Sequence, residues 1–407
     1  MMMSTSPDVA VRSPAALVVL LFGSTLGVMA GSTVMPVLEV IRSDLGVSGT
    51  AAGLIITAHG LAIAVSSPLV GWLIDRLGVR PVLSGGLVLY GLAGGAGLFI
   101  TSYPVLVASR LVFGVGAATV FSGTTVALLA LYRGSLRDRV MGWRSTTTSL
   151  GGLIWPLLAG AVGGISWHAA FAVYLVGVPL GVATLVALPN SRPESSDRKR
   201  VGGVFALVRA RPVLLGLYAL MITTSLLMYA LAVFLPQRLA QVGVTEPFLV
   251  SMFTVGSAAA MSVIGLVYAR ARARLGYDVL LRVSAVLWVG TFLILGVTDV
   301  PAVIAVAPVL FGLGNGLAFP ALTVLVGEAA PPELRGQTVA LSATGAFAGQ
   351  FVSPLLFGPL IGATTITTGF LAAAVLAGVV LLILLLTTVS TLAAPGVVRV
   401  QPGPEAL

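Results

Sequence analysis

Residues 71–80 read GWLIDRLGVR and place charged side chains between two long apolar runs. No Asp, Glu, Lys or Arg occurs in residues 45–74 or in residues 81–109. A run of about 20 mainly apolar residues is long enough to cross a bilayer as a helix. The stretch therefore predicts a short charged turn between two membrane-spanning helices, in which Gly78 can supply a positive φ angle.

The composition of the whole chain is typical of a membrane protein. Of its 407 residues, 57% are hydrophobic and 9% are charged, whereas a soluble domain carries about 25% charged residues. This balance excludes an ordinary soluble enzyme, a disordered chain and a coiled coil. The net charge of +9 does not indicate nucleic-acid binding, because the basic residues lie in short loops between apolar runs. With no Cys and only His59 and His168, we expect no disulfide and no metal site.

Uncharged stretches predict twelve transmembrane helices. Six stretches are long enough for one span each, namely residues 13–38, 45–74, 212–237, 247–269, 283–298 and 300–327. Three longer stretches can hold two spans each, namely residues 81–132, which only Arg110 interrupts, 145–191 and 336–398. The sequence therefore predicts an all-α integral membrane fold.

The distribution of charge predicts the orientation and the domain boundaries. Most of the 22 Lys and Arg residues fall in segments that are cytoplasmic if the N-terminus is cytoplasmic, which satisfies the positive-inside rule. We therefore expect both termini on the cytoplasmic side of a bacterial cytoplasmic membrane. The expected segments are a tail at residues 1–13, a six-helix half at 14–188, a cytoplasmic linker at 189–212, a six-helix half at 213–393 and a tail at 394–407.

An internal repeat indicates that the two halves are related. Residues 113–116, Phe-Gly-Val-Gly, match residues 311–314, Phe-Gly-Leu-Gly, at an offset of 198 residues. The charged turn that begins at Gly71 has a counterpart that begins at Gly265. Transporter folds are often built from duplicated halves, so we predict two pseudo-symmetric halves.

The charged turn at residues 71–80 resembles the GxxxDRxGxR signature loop of the major facilitator superfamily. The resemblance implies that Asp75 and Arg76 help to hold an outward-open state by latching the two halves together on the cytoplasmic side. The residues assigned to this latch are Gly71, Asp75, Arg76, Gly78 and Arg80. In the second half Ala269 stands where the acid would be, which weakens any latch there. The alternative is a charged loop with no switching role.

The predicted spans contain one basic residue, Arg110. Burying its charge costs at least about 2.5 kcal/mol on insertion scales, so an intramembrane charge is a candidate functional residue. Together with Gly114 and Gly116, Arg110 resembles the RxxxGxG pattern in the fourth span of the superfamily, which is linked to proton transfer or to shaping the cavity. The alternative is an Arg side chain that extends outward to the membrane surface.

The fifth predicted span contains a Gly-rich segment with an internal proline. Its residues Gly152, Trp155, Pro156 and Gly160 are similar to the antiporter motif of the superfamily, although Trp155 takes the place of a glycine. A proline bends a helix and glycines flatten the face that meets the other half. The alternative is that the proline kink and the glycines serve only the packing of the helix and have no role in antiport.

Proton coupling requires a group that titrates, and the predicted spans offer few. All 13 acids lie in predicted loops, tails or helix ends, which makes cationic drugs poor candidates for the sole substrates. His59 in the second span is the best-placed group, because an unperturbed histidine titrates near pH ~6.5. Glu39 at the outer end of the first span is next, and Arg110 is the third candidate. For His59 the alternative is a histidine that is hydrogen-bonded within the bundle.

In the superfamily, spans 1, 4, 7 and 10 line the central cavity, which implies a set of substrate contacts. The candidates are Thr25, Met29, Ser32, Phe121, Thr125, Met228, Tyr229, Phe234, Asn315 and Phe319. A lining of aromatic residues and methionine suits bulky, partly lipophilic ligands. Packing within the bundle is the alternative for each of these residues.

The resemblance implies a secondary active transporter and not an enzyme. We expect a monomer that exports a hydrophobic or amphipathic small molecule, a drug or natural product, by alternating access and proton antiport. Its partners would be the lipid bilayer and the substrate, and its energy source the proton gradient, with no cofactor. An importer or facilitator of a small metabolite, anionic metabolites included, is the alternative. A channel or a lipid enzyme is a third class, but the sequence lacks an intramembrane acid, a histidine cluster or a filter repeat.

Overall fold

The computed structural model describes residues 14–189, 207–209, 211–331 and 334–388, and all regular elements in these ranges are helical. The first half contains α1 (Pro14–Ser32), α2 (Gly49–Leu77), α3 (Val79–Gly95), α4 (Tyr103–Leu131), α5 (Gly134–Gly163) and α6 (Trp167–Ala187). The second half contains α7 (Pro212–Gln241), α8 (residues 247–275), α9 (residues 277–297), α10 (Pro301–Glu328), α11 (Arg335–Ala363) and α12 (Ile366–Leu386). The two predicted tails, 1–13 and 394–407, and most of the predicted linker, 189–212, lie outside the described residues.

These helices confirm the prediction of twelve spans. Within the described ranges, ten helical segments are long and apolar enough to cross a membrane. One of them, Pro247–Val297, holds two spans, because Gly276 breaks it with φ 73° and ψ 171°. Helix α5 is not among the ten, because its first half carries several Arg residues and a run of Ser and Thr.

The boundaries of α9 differ from the expectation from charge alone. The uncharged stretch begins at residue 283, but the helix begins directly after Gly276 and includes Arg282. The Arg282 guanidinium donates from Nε to the Leu384 carbonyl oxygen at 2.8 Å, and it also reaches the carbonyl oxygen of Thr387. A cation at the C-terminus of a helix satisfies carbonyl groups that have no partner inside the helix. The Arg282 guanidinium therefore caps the C-terminus of α12.

Local signals explain where α2 begins and ends. The Ser48 hydroxyl oxygen accepts a hydrogen bond from the Ala51 amide at 3.2 Å, which caps the N-terminus of α2. The helix ends at Gly78, which has φ 86° as the sequence predicts. Gly276 holds the equivalent place in the second half with φ 73°. Only glycine adopts such angles without steric cost, so both charged turns use one to reverse the chain.

One close helix crossing recurs at equivalent positions of the two halves. A methyl group added at Gly114 in α4 would lie 2.5 Å from the His59 carbonyl oxygen, so α4 and α2 cross in close contact. In the second half, Gly312 in α10 lies equally close to the Ser257 carbonyl oxygen in α8. Both pairs of equivalent positions, 114 with 312 and 59 with 257, are 198 residues apart. The structure thereby confirms the internal repeat.

The two halves meet closely at one end of the bundle. Helix α2 packs on α11, where Thr50 contacts Gly358, and α5 packs on α8, where Gly160 lies against the Pro247 carbonyl oxygen. A turn of 3-10 helix (Met35–Val37) and a short helix (Leu38–Asp44) add to this end, which we call the sealed end.

At the opposite end, glycines in three of these helices, α2, α5 and α8, have no such close contact. Methyl groups added at Gly71 in α2, Gly142 in α5 or Gly265 in α8 would meet no atom of the described residues outside their own helix within 4 Å. We call this the open end. The described residues therefore form an asymmetric bundle, which is closed between the halves at one end only.

Candidate substrate cavity and interface between the halves

A buried polar contact joins the halves where the sealed part of the bundle ends. His59 of α2 is 3% exposed, and its Nε2 lies 3.4 Å from Nε2 of Gln350 in α11. Tyr229 of α7 interacts with the same glutamine, and its hydroxyl lies against Gly31 in α1. Four helices from both halves thus converge on His59, which gives this proton-coupling candidate contacts to both sides of the interface.

Arg110, the third coupling candidate, lies inside the first half and not at the interface. Its Nη2 donates to the carbonyl oxygens of Ala93 at 3.0 Å and Gly94 at 2.7 Å, which are near the C-terminus of α3. Its guanidinium carbon lies 4.8 Å, 4.9 Å and 5.3 Å from the ring centres of three aromatic residues. These residues are Phe113, Phe171 and Tyr174. The side chain is 1% exposed, so it does not extend to the membrane surface.

Glu39, the second coupling candidate, lies at the sealed end. It forms an ion pair with Arg42 one turn away on the short helix Leu38–Asp44, with Arg42 Nε 2.7 Å from a carboxylate oxygen. Both side chains are partly exposed. The pair is therefore at the rim of the bundle and is separated from the contact between His59 and Gln350.

The latch residues make no described contact with the second half in this conformation. Asp75 and Arg76 are exposed at the open end, and the Arg76 guanidinium stacks on the Trp72 ring at 4.4 Å. Arg80 has a buried Nε without a hydrogen-bond partner among the described residues. The latch is thus disengaged while the opposite end is closed, and its role in the other state stays a prediction.

The motif in α5 contacts both halves. The Trp155 indole donates from Nε1 to the Thr25 hydroxyl oxygen of α1 at 3.1 Å, and its ring packs edge-on against Phe22. A methyl group added at Gly160 would lie 2.9 Å from the Pro247 carbonyl oxygen of α8. Gly152 lies at ordinary contact distance from α1 and α8, and Pro156 lies within the helix between these positions. Trp155 therefore holds α5 on α1, while the glycines allow α8 to come close.

The cavity candidates differ in their exposure. Phe121 of α4 is 46% exposed, and its ring meets Phe347 of α11 edge to face with centres 6.0 Å apart. The partly exposed candidates are Thr25, Ser32, Thr125, Met228 and Phe319. The buried candidates are Met29, Tyr229, Phe234 and Asn315. In this conformation, Phe121 is thus the most accessible of the proposed substrate contacts.

A pocket opens beside Phe121 between α1, α4 and α5. Its lining consists of Ser24, Gly27, Val28, Val120, Phe121, Thr124, Arg144 and Thr148. Arg144 is not among the predicted site residues, because the charged residues before position 145 were predicted to form a loop. Helix α5 begins at Gly134, so Arg144 lies about 15 Å along the helix from its start. Arg144 is therefore a basic residue inside a helix that the charge pattern predicts to begin only at residue 145.

The fold and the interface define a multi-pass membrane protein of two six-helix halves, which meet where α2 packs on α11 and α5 packs on α8. The chain belongs to the Major Facilitator Superfamily, whose family model matches residues 20–274 and 247–404. Among solved structures, the nucleoside transporter NupG superposes with a TM-score of 0.77 at 14% sequence identity, over 91% of this chain and 99% of that one. At this identity the likeness concerns the fold.

Curated relatives match part of the chain. The putative multidrug resistance protein MdtD of Cronobacter sakazakii is 32% identical over 175 residues, which are 42% of this chain and 36% of that protein. The quinolone resistance protein NorA of Staphylococcus aureus is 28% identical over 168 residues, 41% of this chain and 42% of NorA. The similarity thus extends over less than half the length of these relatives.

Proposed function

We propose that this protein is a secondary active transporter, and not an enzyme, that exports hydrophobic or amphipathic small molecules by alternating access and proton antiport. The observation that carries the proposal is the asymmetry of the bundle. One end is closed by contacts of α2 with α11 and of α5 with α8, and at the other end glycines in α2, α5 and α8 lack such contacts. A protein that moves a solute by rocking two halves needs such a conformation and its reverse.

The open end is proposed to face the cytoplasm of a bacterial cell. The helix ends and turns at this end carry most of the described basic residues, whereas the sealed end has Arg42 and Arg238. Those at the open end include Arg76, Arg80, Arg139, Arg270 and Arg272. The positive-inside rule then places both termini in the cytoplasm. In this orientation the cavity is accessible from the cytoplasm, which is the state in which an exporter loads its substrate.

MdtD and NorA support a drug-like substrate, since they are named for multidrug and quinolone resistance. The accessible Phe121 ring and the apolar lining of its pocket are consistent with such a ligand. The protein exchanges between two conformations, and each ligand shifts the population toward the conformation that it binds more tightly. A proton and a substrate can therefore be coupled without touching each other. His59 is the proposed proton site, because it lies where the two halves meet.

Retention of fluorescent dyes and antibiotics by a pump-deficient bacterium that expresses the chain tests this proposal. We expect cells that express the chain to retain less dye and antibiotic than cells with an empty vector. A protonophore should raise the retention to the level of the empty vector. A non-transporting variant expressed at the same level in the membrane, such as Gly160→Trp at the sealed interface, controls for nonspecific effects on the envelope. Unchanged retention across the panel would contradict export of these compounds, and higher retention would favour the importer.

A further inference from the structure

Arg144 presents an unpaired cation to the pocket beside Phe121. Its Nε is buried and has no hydrogen-bond partner among the residues that the structure describes. Among the side chains that the structure describes, no carboxylate forms an ion pair with Arg144. The side chain as a whole is partly exposed, so its terminal nitrogens stay open to a ligand while Nε is withdrawn from water. An anion or a strong acceptor at this place would offset the cost of the unpaired Nε.

The polar groups around Arg144 cannot supply a negative charge. The hydroxyl groups of Ser24, Thr124 and Thr148 each donate to a carbonyl oxygen in the preceding turn of their own helix. These hydroxyls are neutral, and their protons are used within the helices. The remaining walls are apolar, with Val28 and Phe121 among them.

We infer that Arg144 binds the carboxylate of an amphipathic organic anion or zwitterion, while the apolar body of the same molecule lies against Phe121 and Val28. A guanidinium offers a planar pair of donors that matches a carboxylate, and such charge-assisted pairs are about twice as strong as neutral hydrogen bonds. An exposed aromatic ring next to a cation suits a ligand that has an acid group on an aromatic body. This inference rests on the proposed function and narrows its substrate class.

Fluorescence anisotropy of norfloxacin tests the inference with purified protein in lipid nanodiscs. Norfloxacin carries a carboxylate on an aromatic body, and its methyl ester keeps the body but removes the negative charge. Empty nanodiscs give the lipid background for both probes. We expect the wild-type protein to bind the acid at least about tenfold more tightly than the ester, which corresponds to about 1.4 kcal/mol.

Three variants separate direct binding from general electrostatics. Arg144→Gln should abolish the preference for the acid by weakening the binding of the acid. Arg144→Lys should keep part of the preference, because it retains the charge without the planar fork. Arg139→Gln removes the same charge from an exposed position on the same helix and should keep the full preference. Thermal melting of each variant verifies folding. If Arg144→Gln does not fold, Arg144→Lys provides the comparison with the wild-type preference for the acid.

The outcomes distinguish this inference from the proposed function. Equal affinity of the wild-type protein for acid and ester would overturn the role of Arg144 and leave the transport of amphipathic molecules intact. The same holds if Arg144→Gln keeps the preference, or if Arg139→Gln loses it to the same extent. Binding of neither probe by the wild-type protein would overturn both the inference and the proposed substrate class.

Discussion

The imidazole Nε2 of His59 lies 3.4 Å from the amide Nε2 of Gln350, and this contact joins α2 of one half to α11 of the other. An amide nitrogen donates hydrogen bonds and does not accept them, so the imidazole nitrogen is the acceptor in this contact. A proton on that ring nitrogen would place two donors face to face unless the Gln350 amide turned over to present its oxygen. Protonation of His59 therefore disfavours this arrangement of the interface.

Acidification is expected to open the sealed end through His59. The chain contains no Cys, so spin labels can be introduced by Ser43→Cys and Thr245→Cys, two exposed positions at that end on opposite halves. When the pH is lowered from 8 to 5, we expect the distance between the labels, measured by double electron–electron resonance, to lengthen in the wild-type background. His59→Gln should abolish this dependence, because its side chain does not titrate in this range.

The other histidine provides the control for this experiment. His168 stacks on Trp167 with ring centres 3.5 Å apart and makes no described contact with the second half. His168→Gln should therefore retain the response to pH and the dependence of transport on a pH gradient. A response that persists in His59→Gln would show that another group couples the proton.

The sequence predicts the fold better than it predicts the site. Apolar runs and the glycine of the charged turn fix the spans and the turn at Gly78, because both depend on residues close together in the chain. The partners of His59 come from three other helices, and no local pattern indicates which side chains meet across 291 positions. Arg144 was not predicted as a site residue, because a charged residue ends an apolar stretch of the sequence without ending the helix.

Substitution of Asp75 is expected to shift the protein toward the conformation described here. Asp75 is exposed and makes no described contact with the second half, so Asp75→Asn should leave the stability of this state unchanged. If the residue latches the halves in the reverse state, its loss should reduce the population of that state about tenfold for each 1.4 kcal/mol removed. Transport should fall accordingly, while substrate binding is retained.

Distances across the open end provide the measurement for Asp75. Labels at Leu69→Cys and Leu266→Cys lie on exposed positions of α2 and α8. We expect both short and long distances in the wild-type background, mainly long ones with Asp75→Asn, and partial recovery with Asp75→Glu. An identical distribution in the wild type and in Asp75→Asn would mean that the charged turn has no switching role.

Gly160 is expected to be essential for closing the sealed end. A methyl group at this position would lie 2.9 Å from the Pro247 carbonyl oxygen of the other half, so Gly160→Ala should force α5 and α8 apart. Such overpacking costs about 1–3 kcal/mol. The labels at positions 43 and 245 should report longer and broader distances.

Gly142 on the same helix gives a matched control for Gly160. A methyl group there would meet no described atom outside the helix within 4 Å, and replacing a helical glycine by alanine stabilises a helix by up to about 1 kcal/mol. Gly142→Ala should therefore leave the sealed end unchanged and melt at the same or a higher temperature. If both variants behave alike, the contact between α5 and α8 does not determine the closure.

Arg110 is expected to act as a structural cation of the first half. Its Nη2 donates to two carbonyl oxygens near the C-terminus of α3, and three aromatic rings surround it. Arg110→Lys keeps the charge but loses the planar donor fork, so at least one buried carbonyl group should lose its partner. Hydrogen bonds to charged groups contribute about 1.5–3 kcal/mol each, and we expect the melting temperature to fall while the pH response of the sealed end persists. Arg139→Lys, at an exposed position, should change neither property. Normal melting of Arg110→Lys together with a lost pH response would instead assign Arg110 to proton coupling.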